Sequence, residues 1–153
     1  MVAYDAWATD RLLQQTSDLI EQPAAEGASH GTVEGSLRHV LGATQTWLER
    51  FTGVRCPPPG GEGFAALKAD AASTNACLGT FVAELSDQDL YDEVHFHDSR
   101  GNPHHDYLGV LLSHVFNHAT YHRGEAALLL TGIGRSPGDL DLIVYRRMME
   151  PGR

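Results

Sequence analysis

The sequence predicts an all-α protein, a four-helix bundle with a short β-hairpin inserted before the last long helix. Three observations carry that expectation. Four stretches repeat apolar residues at three- and four-residue steps, one short segment switches to strict alternation, and Gly- or Pro-rich runs separate them. Amphipathic helices bury their apolar stripes against one another, and four of them without an internal repeat settle as a bundle.

Each element follows in order. The first helix runs from about Ala3 to Glu21, with Ala3, Trp7, Leu12, Leu13, Leu19 and Ile20 on one face, until "EQPAAEGASHG" interrupts it with Pro and Gly. Helix two opens at Thr32, a good N-cap, with Gly35 standing where a capping box wants Glu or Gln. It continues through Val33, Leu37, Val40, Leu41, Thr44, Trp47, Leu48 and Phe51 and ends at "GVRCPPPGGEG". The third helix, from about Phe64 to Leu85, is Ala-rich and turns Leu67, Ala71, Leu78, Phe81, Val82 and Leu85 inward. Tyr91, Val94 and Phe96 then alternate ahead of the turn-forming "DSRGNP", which predicts the hairpin. Helix four spans about Tyr107 to Leu130 and stops at "TGIGRSPGD"; "LDLIVYRRMME" makes a short helical tail that packs across the bundle. The connection between helices two and three is long enough to cross the bundle, so simple up-down-up-down order is not assumed.

At 153 residues the chain reads as a single domain, residues 1–153, large enough for one well-buried core. Twenty acidic residues against eleven Lys and Arg give a formal charge of −9 without a basic run, which disfavours nucleic acid and anionic membrane as partners. There is no leader-type apolar segment and no run near the roughly 20 apolar residues that span a bilayer, so a cytoplasmic protein is expected. Cys56 and Cys77 lack CxxC spacing and read as two unpaired thiols.

The chemistry-bearing stretch is "HVFNHATYHRGEA", His114 to Ala126. Positions four apart on a helix lie about 40° apart around the axis and one turn along it, so His118 and His122 project side by side. Leu108, Leu111, Leu112, Val115, Ala119, Ala126 and Leu129 mark the buried stripe; His118 and His122 fall inside it and His114 nearer its edge. A buried imidazole left unsatisfied costs about 1–3 kcal/mol, and a metal ion resolves that for both rings at once. The HxxxH spacing matches that of zinc metalloproteases, but Ala119 stands where their catalytic Glu would be, which argues against protease chemistry. A catalytic divalent site has three protein ligands and an open position. His39, at the inner margin of helix two, is the expected third ligand, with His114 as the alternative. His30 lies in a Gly/Ser loop, and His95, His97, His104 and His105 surround the hairpin. Three imidazoles and an open position suit zinc or nickel, with iron, copper or manganese as further options.

Around these ligands, Asn117 and Arg123 each sit about 100° from the neighbouring histidine, which turns them toward adjacent helices. Arg123 there can take a substrate carboxylate or make a structural salt bridge. Tyr121 either presents its hydroxyl to a pocket or packs. Trp7 and Trp47 are expected in the core, and Gly124 to permit close approach of helix one.

"SLRHVLGATQTWLERF", "LLSHVFNHATYHRGEA" and "DLDLIVYR", with "YDAWATDRLL" at the start and "DSRGNP" between, resemble the DinB-like family of metal-dependent enzymes over nearly the whole chain. The resemblance implies a four-helix bundle holding a divalent metal through one histidine of the second helix and two of the last long helix, here His39, His118 and His122. Tyr121 stands where many relatives have His, and Glu125 where Gln is usual. The resemblance also implies chemistry with low-molecular-weight thiols such as bacillithiol or mycothiol, so a thiol-dependent S-transferase acting on a small molecule is expected, with the thiol as cosubstrate. Relatives of this kind are often dimers, so the resemblance allows a homodimer, with the apolar tail Leu140 to Met149 packing on its own bundle or on a partner. Two rivals stand beside it: a metal-dependent hydrolase, and a non-catalytic protein whose ion staples helices two and four.

Overall fold

The computed structural model describes residues 1–17, 29–56 and 61–152. Its helices are α1 (Val2–Thr16), α2 (Val33–Thr52), α3 (Gly63–Glu84), α4 (Leu108–Gly132) and α5 (Leu142–Met149). An antiparallel hairpin, β1 (Glu93–His97) with β2 (Pro103–Tyr107), stands between α3 and α4 and pairs His95 with His105. The all-α bundle with a hairpin insert is therefore what the chain forms. Leu19 and Ile20, expected on the first helix, lie outside the described residues.

Local chemistry sets the ends. The Thr32 hydroxyl accepts from the Gly35 amide at 2.9 Å, the N-cap bond that opens α2, and Gly53 in the left-handed region closes it. Tyr91 departs from the alternating run expected of it: it ends a 3-10 turn, Asp89–Tyr91, and is mostly exposed. A strand begins only at Glu93, after the Asp92 backbone has turned extended.

Two apolar clusters fix the helix directions. Leu12, Leu13, Leu37, Leu41, Leu67, Ala71, Ala126 and Leu130 meet in one. Leu48, Cys56 and Leu78 form the other, with Val2, Phe81 and Phe116 packed on it. Thus α2 and α3 run from the first cluster to the second, and α1 and α4 run the opposite way. Polar links agree: Arg38 near the start of α2 reaches the Gly63 carbonyl and Asp70, and Gln45 donates to Thr74 at 2.8 Å. Both α2 and α1 pack mainly on α3 and α4, so the ring order is α1, α3, α2, α4. The order is up-down-down-up, and Thr52 and Gly63 stand at opposite ends of the bundle, as a crossing connection requires.

The hairpin is pinned to α2 by Arg50, whose guanidinium lies 4.4 Å from the Trp47 ring centroid and 4.9 Å from that of Phe96 and donates to the His97 carbonyl at 2.8 Å. Trp47 and Trp7 are half-buried rather than core: Trp47 packs against Phe51, Phe96 and His114 at the hairpin, and Trp7 against Tyr4 and Tyr145 under the tail. The tail packs on α1 through Tyr145, 5.3 Å from Trp7 and 5.9 Å from Tyr4. Gly124 is exposed, and a Cβ there would meet nothing within 4 Å, so close helix approach is not its role. Cys56 and Cys77 are thiols in the second cluster; burial, then a hydrogen bond to Cys77, pushes the Cys56 thiol up to about 12.

Candidate metal centre

The antiparallel contact of α2 with α4 brings the histidines together. On α4, Leu108, Leu111, Leu112, Val115, Ala119, Ala126 and Leu130 are buried, and His122 is buried with them. Leu130 takes the place expected of Leu129, because the stripe drifts at 3.6 residues per turn. His118 is half-buried, one turn before His122, and their ring centroids are 4.5 Å apart. From the facing helix, His39 sets its Nε2 3.1 Å from the Nε2 of His118 and its ring 4.5 Å from that of His122. The three sequence-predicted rings thus stand within 4.9 Å of one another, centroid to centroid, although His118 is not in the group whose nitrogens all lie within 4.8 Å of one another.

A fourth ring joins them, one that sequence reasoning left in a loop. His30 lies flat on His39, centroids 3.8 Å apart and planes 20° from parallel, and 5.0 Å from His122. One ligand nitrogen each from His30, His39 and His122 falls within 4.8 Å of the others, a group that can hold a metal ion. Two signals in "SHGTVEGS" point to it in retrospect: a glycine directly after His30 and another where the capping box wants Glu.

His122 is oriented by a carboxylate. Its Nδ1 donates to Glu125 Oε2 at 2.6 Å, leaving Nε2 as the free nitrogen, and the Ser29 hydroxyl donates to the other oxygen, Oε1, at 2.6 Å. Hydrogen bonds from Ser29 and His122 hold the Glu125 carboxyl below its usual range. This histidine–carboxylate pairing is the arrangement that fixes tautomer and ring direction in metal sites. Glu125, which stands where Gln is usual in the family resemblance, thus supplies a full carboxylate to His122.

The other candidates disperse. His114 is exposed, 5.6 Å from His118 and edge-on to Trp47 at 5.3 Å. Asn117 is exposed, and Tyr121 is exposed with its ring edge-on to His122 at 4.9 Å. Arg123 is buried and turned away, its Nη1 on Asp5 Oδ1 of α1 and its Nη2 3.2 Å from Thr120.

Does this pocket fit a divalent ion? Two imidazole nitrogens bound 2.0–2.1 Å from one tetrahedral ion stand about 3.3 Å apart, close to the 3.1 Å between His39 and His118. The protonation state also suits ligation. Burial, then the neighbouring His122, His39, His114 and His30, pushes His118 down to about 4, and burial with His30 and His122 lowers His39. Neutral imidazoles with free lone pairs are what an ion needs.

These lowered values have a consequence for the metal-free protein. Between about pH 6.5 and 4 the unfolded chain binds a proton at His118 that the folded chain refuses, so stability is full above that window and is lost as pH falls through it. Thermal melts of the metal-free protein should move to lower temperature from pH 7 to pH 5, and His118→Asn should flatten that slope. An unchanged slope in the variant would show that His118 titrates normally in the fold.

The model of the DinB family matches residues 1–153, the whole chain. No curated protein and no solved structure matches it.

Proposed function

This chain belongs to the DinB family, and we propose that it is a metal-dependent enzyme using a low-molecular-weight thiol to transfer sulfur chemistry onto a small electrophile. The observation that carries the reading is the convergence of His39, His118 and His122, with His122 turned inward by Glu125. These three are the proposed ligands. These residues would hold a divalent ion, which would supply Lewis-acid chemistry that lowers the pKa of a bound thiol and favours the nucleophilic thiolate at neutral pH.

The rest is done by the chain itself. Glu125 holds the Nδ1 proton of His122 and so keeps Nε2 available, while burial and the neighbouring histidines favour the neutral form of His118 and His39. Tyr121, exposed with its ring edge-on to His122, is the candidate for meeting a substrate from solvent, and Asn117, exposed on another face of α4, is the weaker one. Arg123 is committed to Asp5 and serves the scaffold. Small thiols of this kind are cytoplasmic reagents, so the reading carries a cytoplasmic location; among the described residues no helix is long and apolar enough to cross a membrane.

A non-catalytic staple is the second reading, favoured by His30, whose nitrogen gathers with those of His39 and His122 and so adds a protein ligand where an enzyme would keep an open position. The test is a panel of small thiols with an electrophilic acceptor, run on tag-free protein whose divalent metal content has been measured. Thiol consumption that stops on chelation and returns with added zinc or nickel is expected. Ester or amide hydrolysis without turnover of any thiol would overturn the transferase reading in favour of a hydrolase, and no turnover of either kind would favour the staple.

A further inference from the structure

We infer that His30 is a displaceable fourth nitrogen ligand, carried on a strap ahead of α2, which an incoming thiol must replace. The inference rests on the reading that the pocket holds a divalent ion.

Three separate features place the strap. Gly31 adopts φ 71°, in the left-handed region that favours glycine, and the Thr32 amide donates to the His30 carbonyl at 2.8 Å, reversing the chain just before the helix. The strap is then laid back along α2 at a second glycine. A Cβ on Gly35 would stand 2.3 Å from the His30 carbonyl oxygen, a separation that no side chain tolerates. Gly35 therefore gives up the reciprocal capping-box bond and lets the strap backbone lie against the helix. The third tie is Ser29, whose hydroxyl holds the same Glu125 carboxylate that orients His122. One carboxylate thus binds both a pocket ring and the strap that carries another.

The result is a ring in the right place on a detachable mount. His30 covers His39 face to face and keeps a nitrogen within 4.8 Å of ligand nitrogens on His39 and His122. His114, the fourth histidine that helical spacing alone would offer, is instead exposed against Trp47. His39, His118 and His122 leave the pocket only if a helix moves. Among the described residues, His30 is held by the bonds of Ser29 to Glu125 and by its ring contacts with His39 and His122, none of which belongs to a helix backbone. With His30 in place the site is closed by protein nitrogen; with it displaced, a position opens for an exogenous donor without a change of the other three.

Cobalt(II) is the probe, added to the metal-free full chain, with 2-mercaptoethanol as the incoming donor and the sulfur-to-cobalt absorption as readout. His30→Ala should yield its cobalt to a competing chelator about tenfold more readily than the unaltered protein and should bind the thiol about tenfold more tightly. Gly35→Ala, whose new methyl meets the His30 carbonyl, should shift both titrations the same way. Identical chelator and thiol titrations for His30→Ala and the unaltered protein would overturn the inference and leave the metal reading standing. No cobalt uptake by the unaltered protein would remove both.

Discussion

Arg123→Ala should lower the unfolding free energy by about 3–5 kcal/mol, the largest loss expected of any single substitution outside the apolar core. Arg123 is 2% exposed and Asp5 is 5% exposed. Truncating the arginine leaves a buried carboxylate without its guanidinium partner. The guanidinium also bonds Thr120 and lies 5.6 Å from the Tyr4 ring centroid, so the substitution opens a void against α1 as well. Replacing both partners by apolar residues of similar size, Arg123→Met with Asp5→Leu, should recover most of the loss, because a buried pair repays little more than its own desolvation. Urea denaturation of the two single variants and the double gives the coupling directly. A loss below about 1 kcal/mol in Arg123→Ala would mean that the pair is wet and contributes as a surface pair does. The pair matters to the pocket because Arg123 follows His122: it fixes the rotation of α4 against α1, and with it the direction of the adjacent ring.

How much of this was legible in the sequence depends on what each feature rests on. Helical periodicity is local, so the helices, the hairpin and the Thr32 cap read directly, and so did the inward aim of His122. His39 was found because it too lies on a periodic helix, and a facing helix supplies what one helix cannot. His30 was passed over because it has no period to read: its position depends on Gly31 and Gly35, and a glycine in a loop signals a turn without saying where the turn leads. Arg123 shows the reverse case. Its angle on the helix turned it toward an adjacent helix, while its partner there, Asp5, lies 118 residues away and leaves no trace in local pattern. The Glu125 contact is three residues from His122 and was within reach of helical geometry, since positions i and i+3 face each other.

Replacing His39 or His122 by alanine should weaken divalent-ion affinity by more than about 100-fold, a larger change than the 10–100-fold that removal of an orienting partner costs. Both rings belong to the triad that helical spacing selects and to the triad whose nitrogens gather within 4.8 Å, so neither assignment spares them. Competition with a chromophoric chelator measures the loss. Melting gives a second measure: ion at 100 times its dissociation constant stabilises a fold by about 2.7 kcal/mol, and that increment should vanish in both variants. His118→Ala and His30→Ala then separate the two triads. His118 is held by α4 and lies 3.1 Å from His39, so its removal should approach the effect of removing His39, whereas removal of His30 should cost only about tenfold. The opposite ranking, with His30 indispensable and His118 dispensable, would transfer the third ligand from the helix to the loop. In that event the opening through which a thiol enters would lie on the His118 side of the pocket, between α2 and α4 and toward His114 and Trp47. His114→Ala should leave affinity within about twofold, since its ring is spent on Trp47 and solvent rather than on the pocket.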